Sequence, residues 1–472
     1  LIPYRSSVDG NSNSANDQMQ NWCMALRTGT TYSLYGVGRQ TASNKVRIFY
    51  KNLTTGATTD LDDNGWTETA NNLATQTTPN YNLFIYYKNQ SLIYGLHNGY
   101  IYTYDPTGVA AFGDTHQALT YTNACQGVVH SKDDVLYFGY DNKIASKNGA
   151  GAWNLTALTL PAQYYITSIC EYNNFIAIAA APLSGVEKSR VFIWDRSTTL
   201  ATITESIDWG YGVIRTLEEL DGYVVGISAL SSTVGSLQFN ERLSFRYYTG
   251  AGSPQAIDLL STAVGTGSIS LPIAKQKINN RIHFLLKITL NGAVRDGVWS
   301  LGRNSQGRFT LVHERTSNND TALGSGSLLG FFYAGEYLFI GFTTTGGVYT
   351  VSKTNDTATF SATSIYESQI NPNMAEGDKI KNKQLKTVAI KYTTLSAISG
   401  QVVVKYKVDG GSYSGAIITA TTTGTNVIET NIDVSTGVGF TAGRDYEFRL
   451  ESQLGCEISE LVYTYEILST SI

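Results

Sequence analysis

The chain has 472 residues, of which only 15% are charged, and a net charge of −4. It is long enough for more than one core and carries no charge excess that would draw it to nucleic acid or another polyanion. Glycine occurs 45 times and proline 8 times among abundant Tyr, Thr, Val and Ile, a composition of short strands and tight turns rather than of helices or disorder.

No apolar run approaches the ~20 residues of a membrane-spanning helix. Leu1 to Gln20 shows neither the basic nor the apolar region of a signal peptide. Residues 1–21 are polar and rich in Asn and Ser, sticky only at Ile2-Pro3-Tyr4, and are expected to form an arm or a strand that closes a ring.

From Trp22 onward one device recurs, a turn between two apolar runs. Its clearest copy is Asp221-Gly222 between Ile214 and Leu230, since a two-residue hairpin turn needs positive φ and Asp-Gly tolerates it. The other copies are Thr28-Gly29, Asn89-Gln90, Asp133-Asp134, Asn173-Asn174, Asn279-Asn280 and Gly335-Glu336. Their spacing runs from 40 to 61 residues, with a mean near 51, which is the period of a four-stranded propeller blade.

Third strands are read at Val46 to Tyr50, Tyr100 to Tyr104, Val191 to Asp195, Leu243 to Tyr247, Gly297 to Leu301 and Gly347 to Val351, with a weak one at Lys143 to Ala145. Their aromatic residues suit the widening space between radial sheets. Fourth strands are read at Leu155 to Leu160, Ala201 to Ile207, Ala256 to Leu260, Phe309 to His313 and Phe360 to Tyr366. The prediction is therefore an all-β protein with a propeller of about seven blades over 22–370.

Near Asn371-Pro372-Asn373 the period breaks. A small β-sandwich is expected over 376–472, with strands at Lys386 to Tyr392, Gln401 to Val408, Asn426 to Ile432, Tyr446 to Glu451 and Leu461 to Ile467. Tyr446-Glu447-Phe448-Arg449-Leu450 alternates cleanly, so one face should be buried.

Three stretches of this module carry a resemblance: Lys379-Ile380-Lys381-Asn382-Lys383, the run from Val402 to Gly411, and Arg444 to Glu451. It resembles the C-terminal sandwich of β-propeller structural proteins in tailed-bacteriophage virions, over about a fifth of the chain. The resemblance implies a non-enzymatic tail, neck or nozzle component located in the virion. Such a component would be repeated in a symmetric ring, in contact with other virion proteins and copies of itself, with packaged DNA passing nearby.

Reactive groups do not gather in the sequence. His97, His116, His130, His283 and His313 are scattered and read as structural or surface residues; no close His pair suggests zinc. Cys23, Cys125, Cys170 and Cys456 lack metal spacing and read as buried free thiols.

The acidic loop Asp60-Leu61-Asp62-Asp63-Asn64-Gly65-Trp66 lacks the terminal Glu of a calcium loop and the residue order of a sialidase Asp box, so it reads as a solvated turn. Glu218-Glu219 reads as a charged strand end, Gly36-Val37-Gly38 as a strand-end glycine pair, and the lysines from Lys379 to Lys391 as an edge kept soluble by charge. Trp194-Asp195 is a lone dipeptide of the WD40 kind. No catalytic, cofactor or metal residue is assigned. The alternative expectation is an extracellular glycan-binding propeller in which Tyr and Trp stack on sugars; a propeller hydrolase ranks third.

Overall fold

The computed structural model describes residues 6–8, 17–28, 31–40, 45–52, 67–68, 83–97, 99–107, 114–184, 187–230, 238–239, 242–257, 267–269, 275–290, 293–304, 307–316, 328–334, 337–343, 349–354, 364–368, 370–372, 374–394, 401–422, 424–431, 440–453 and 456–468. Two compact units result, Val8–Lys353 and Leu1–Ser7 together with Thr354–Ile472.

In the larger unit seven antiparallel sheets follow one another along the chain. The first blade is Asp17–Thr28, Thr31–Gln40, Lys45–Asn52 and Thr67–Glu68. The second is Leu83–Tyr87, Leu92–His97, Tyr100–Tyr104 and Asp114–Ala118. The third is Val128–His130, Val135–Tyr140, Lys143–Asn148 and Asn154–Thr159.

Tyr164–Tyr172, Phe175–Pro182, Ser189–Trp194 and Ile203–Gly210 form the fourth blade. The fifth consists of Val213–Leu220, Tyr223–Leu230, Arg242–Tyr248 and Gln255–Ile257. Lys275–Ile278, Arg281–Leu290, Ala293–Arg303 and Phe309–Thr316 make the sixth, to which the unpredicted short strands Gln238–Phe239 and Gly267–Ile269 add. Leu328–Ala334, Tyr337–Thr343 and Tyr349–Thr354 give three strands of the seventh.

The fourth strand of that sheet is Ser6–Val8, beside Tyr349–Thr354. Of Phe360 to Tyr366, expected as that fourth strand, residues 360–363 lie outside the described residues, and the rest corrects the expectation: Ser364–Glu367 pairs with Tyr446–Gln453 in the other unit. The first blade also enters at Asp17, ahead of the expected boundary at 22.

The recurrent turns adopt the backbone that their residues permit. Asp221 and Gly222 have φ of 52° and 81°, Asn279 and Asn280 47° and 58°, and Asn173 54°. In the second and third blades the connection is four residues long, since Tyr87 pairs with Leu92 and His130 with Val135. The turn residues Gly29 and Gly335-Glu336 lie outside the described residues.

Seven apolar clusters, each shared by two neighbouring blades, run round the ring. They link Tyr35 to Phe84, Leu96 to Leu136, Tyr137 to Trp194, Ala177 to Ile214, Val225 to Ile282, Val298 to Ile340, and finally Phe339 back to Trp22. Third-strand aromatics fill these clusters as predicted: Tyr102 and Tyr104, Phe192 and Trp194, Phe245, and Trp299. Gly226 has to be glycine for the same reason, because a Cβ there would stand 2.7 Å from the Trp209 ring.

First strands pack on one another between the first and second, third and fourth, fourth and fifth, and seventh and first blades, which places them innermost around the axis. In four blades the first strand carries a β-bulge, at Gln20, Thr167, Arg215 and Leu329. A bulge re-aims the side chains on either side of it.

The smaller unit is a sandwich. Ser364–Glu367, Tyr446–Gln453, Gln401–Val408 and Ile418–Ala420 form one sheet; Gly424–Asn431, Lys383–Thr394 and Glu457–Ile467 form the other. Its core joins Leu385, Val388 and Ile390 to Val402, Val404, Tyr446 and Phe448. The Tyr446 hydroxyl donates to Thr441 O at 2.6 Å, and Asn371 holds the Tyr446 backbone through Oδ1 at 3.0 Å.

Candidate functional site

The innermost strands bring together residues that the sequence keeps far apart. Lys275, on the sixth blade, points its ammonium at Ile169 O of the fourth blade (2.9 Å) and at Leu217 O of the fifth (2.6 Å). Glu218 Oε2 lies 3.1 Å away, and 9% of the lysine side chain is exposed.

Burial is the largest influence and works against the Lys275 charge, but Glu218 together with Cys170 and Cys125 more than offsets it, and the ammonium is held above its ordinary pKa. Cys125 and Cys170 lie within electrostatic reach of this lysine. Both are fully buried, and burial pushes Cys125 up to about 12 and Cys170 higher still, so both stay as unreactive thiols. A lysine held protonated and two thiols held neutral offer neither a base nor a nucleophile.

One step toward the turns, polar side chains tie blade to blade. Asn89 Nδ2 donates to Asp134 Oδ2 (2.8 Å), and the Tyr87 hydroxyl to Asp134 O (2.5 Å). Ser131 donates through N and Oγ to Glu171, and Lys132 Nζ to Asn174 Oδ1 (2.8 Å). Glu219 pairs with Lys277 (2.5 Å), Asp221 with Asn280, and Gln276 exchanges two hydrogen bonds with the backbone of Tyr333 (2.7 and 2.9 Å). The hairpin turns thus serve as fastenings between the blades.

Two buried histidines belong to these fastenings. His130 faces Asp133 at 3.4 Å and Glu171 at 3.9 Å, beside Arg196. His283 faces Glu314 at 3.9 Å, beside Arg281, and packs edge-on against Tyr333. Burial pulls both imidazoles below the ordinary 6.5; the carboxylates oppose this and the arginines add to it.

A folded-state pKa below the unfolded one means that the unfolded chain binds the extra proton first. Stability from these two groups is complete above about pH 6.5 and is lost as the pH falls toward their folded values. We expect the melting temperature to drop from about pH 7 to about pH 5, and the drop to shrink in His130→Gln and His283→Gln. An identical pH profile in the doubly substituted chain would show that other groups set it.

The remaining sequence candidates do not assemble. His313 stacks on Trp299 at 4.3 Å, while the loop from Asp60 to Trp66 and the side chains of His97 and His116 lie outside the described residues. Asp195 receives the Ser197 N–H and closes a local turn. Gly36-Val37-Gly38 lies inside the strand Thr31–Gln40.

Among the described residues of the lysine run, Lys381, Lys383 and Lys386 do not form one basic patch. Lys383 is buried and donates to Asp378 O and Lys381 O, Lys381 pairs with Asp378, and Lys386 pairs with Glu466. Among the described residues no group of three or more His, Cys, Asp or Glu side chains could hold a metal.

Lys275 was not marked in the sequence, and Glu218-Glu219 is more than a charged strand end. The signal exists once the repeats are aligned on their turns. Glu219 and Lys277 then occupy the same place in successive blades, one residue before the last hairpin pair.

No family model and no curated protein matches the chain. Among solved structures it is similar to the Neurospora crassa Pan2 WD40 domain, with 10% identity over 76% of this chain and 97% of that one and a TM-score of 0.45. It is also similar to an exo-β-1,3-galactanase from Phanerochaete chrysosporium, with 11% identity, 97% and 100% coverage and a TM-score of 0.33. Trypanosoma rangeli sialidase gives 10% identity, 99% and 95% coverage and a TM-score of 0.34.

Proposed function

We propose that this chain is a non-enzymatic scaffold acting through protein–protein contacts, as a structural component of a tailed-phage tail, neck or nozzle. One observation carries the scaffold reading: the ionisable groups gathered at the axis are spent on bonds between blades, with Lys275 on Ile169, Leu217 and Glu218 and Lys277 on Glu219. The virion assignment rests on the resemblance of the C-terminal sandwich, whose motif residues Val402, Val404, Tyr446 and Phe448 are core residues.

The test is sedimentation and electron microscopy of the full chain, followed by co-purification with phage particles. A ring-shaped oligomer that enters particles supports the reading. A monomer at every concentration, with saturable glycan binding lost on Tyr211→Ala, would replace it with the lectin alternative; Tyr211 is 58% exposed.

A further inference from the structure

Lys275 differs from the buried lysines Lys147 and Lys383. Lys147 and Lys383 also aim their ammonium groups at carbonyls, Gly151 O at 2.7 Å and Asp378 O and Lys381 O at 2.8 and 2.9 Å, but each closes a segment next to itself in the chain. Lys275 reaches two other blades. Around its Nζ stand Ile169 O, Leu217 O and Glu218 Oε2, at 2.9, 2.6 and 3.1 Å.

All three oxygens are acceptors, so they cannot satisfy one another and converge on a donor, which here is a cation facing the Glu218 carboxylate. Oxygen-only coordination suits hard cations. The ammonium N···O separations here are 2.6 to 3.1 Å, two of them beyond the ~2.3–2.6 Å of calcium and all beyond the ~2.0–2.1 Å of magnesium, and Glu218 gives the cage a single negative charge, so its match is a larger monovalent ion.

We propose that the inner strands of the fourth and fifth blades form a monovalent-cation site, which the chain fills with its own Lys275 ammonium. Shortening that side chain opens the site to a free ion of the same charge and size, namely ammonium, methylammonium or potassium. The lysine is a tethered ligand that makes the propeller independent of the ions around it.

The test is thermal unfolding of Lys275→Ala in choline chloride, whose cation is too large for the cage, and then in ammonium, methylammonium, potassium and magnesium chlorides. In choline the variant should melt about 4–7 °C below the native chain. Ammonium, methylammonium or potassium should recover most of that loss with saturation, magnesium should not, and the native chain should respond to none of them.

Lys275→Met keeps the cage filled with an uncharged chain and should be destabilised without recovery. The double variant Lys275→Ala/Glu218→Gln removes the charge on both sides and should melt above Lys275→Ala in choline, blind to the added ions. Should Lys275→Ala be insoluble in choline, soluble protein obtained only with ammonium present supports the site. Insolubility in every salt, equal effects of all the salts on native and variant chains, or native stability of Lys275→Ala in choline overturns it.

Discussion

A chain lacking residues 1–10 is expected to melt about 4 °C lower and to aggregate, although the first blade, which starts at Asp17, is left whole. The deletion removes Ser6–Val8, the fourth strand of the seventh blade, and exposes the edge of Tyr349–Thr354. A three-residue ladder supplies about 3 kcal/mol at roughly 1 kcal/mol per hydrogen bond. The larger consequence is the open edge, which offers unpaired backbone groups to other chains. Calorimetry and light scattering check both effects, and a peptide of residues 1–16 added in trans should reverse them. An unchanged melting temperature together with an unchanged particle size would show that the ring does not depend on this strand.

Trp194→Ala should cost about 3–5 kcal/mol, the usual loss for a buried tryptophan, and should lower the melting temperature by about 4–7 °C. Trp194 has 0% exposure and stands edge-on to Tyr137, with ring centroids 5.7 Å apart, so the cavity opens between the third and fourth blades where neither sheet can collapse alone. The exposed Tyr211 is the control, since Tyr211→Ala should change stability by less than about 0.5 kcal/mol. Equal melting of the two variants would mean that inter-blade packing at this position adds little.

The architecture was legible because its signals are local. Asp221-Gly222 and its siblings mark hairpins by backbone chemistry alone, and Val191 to Asp195 marks a third strand by its aromatics. The pairing of Ser364–Glu367 was not legible, since a short strand of mixed polarity fits either sheet and only tertiary pairing with Tyr446–Gln453 decides between them. The axial residues were hidden for another reason. Bulges such as those at Thr167 and Arg215 interrupt the two-residue alternation, so a side chain's direction cannot be counted along the strand, and Lys275 meets partners more than fifty residues away.

Ring closure also sets an order of events during synthesis. Ser6–Val8 leaves the ribosome before its partner strand Tyr349–Thr354, which follows only after roughly 340 further residues. At ~5–20 residues per second this strand waits on the order of 20–70 seconds for its partner. The sequence from Ser6 through Ser14 is rich in Ser and Asn, a composition with little apolar surface to drive premature contacts before the seventh blade is made.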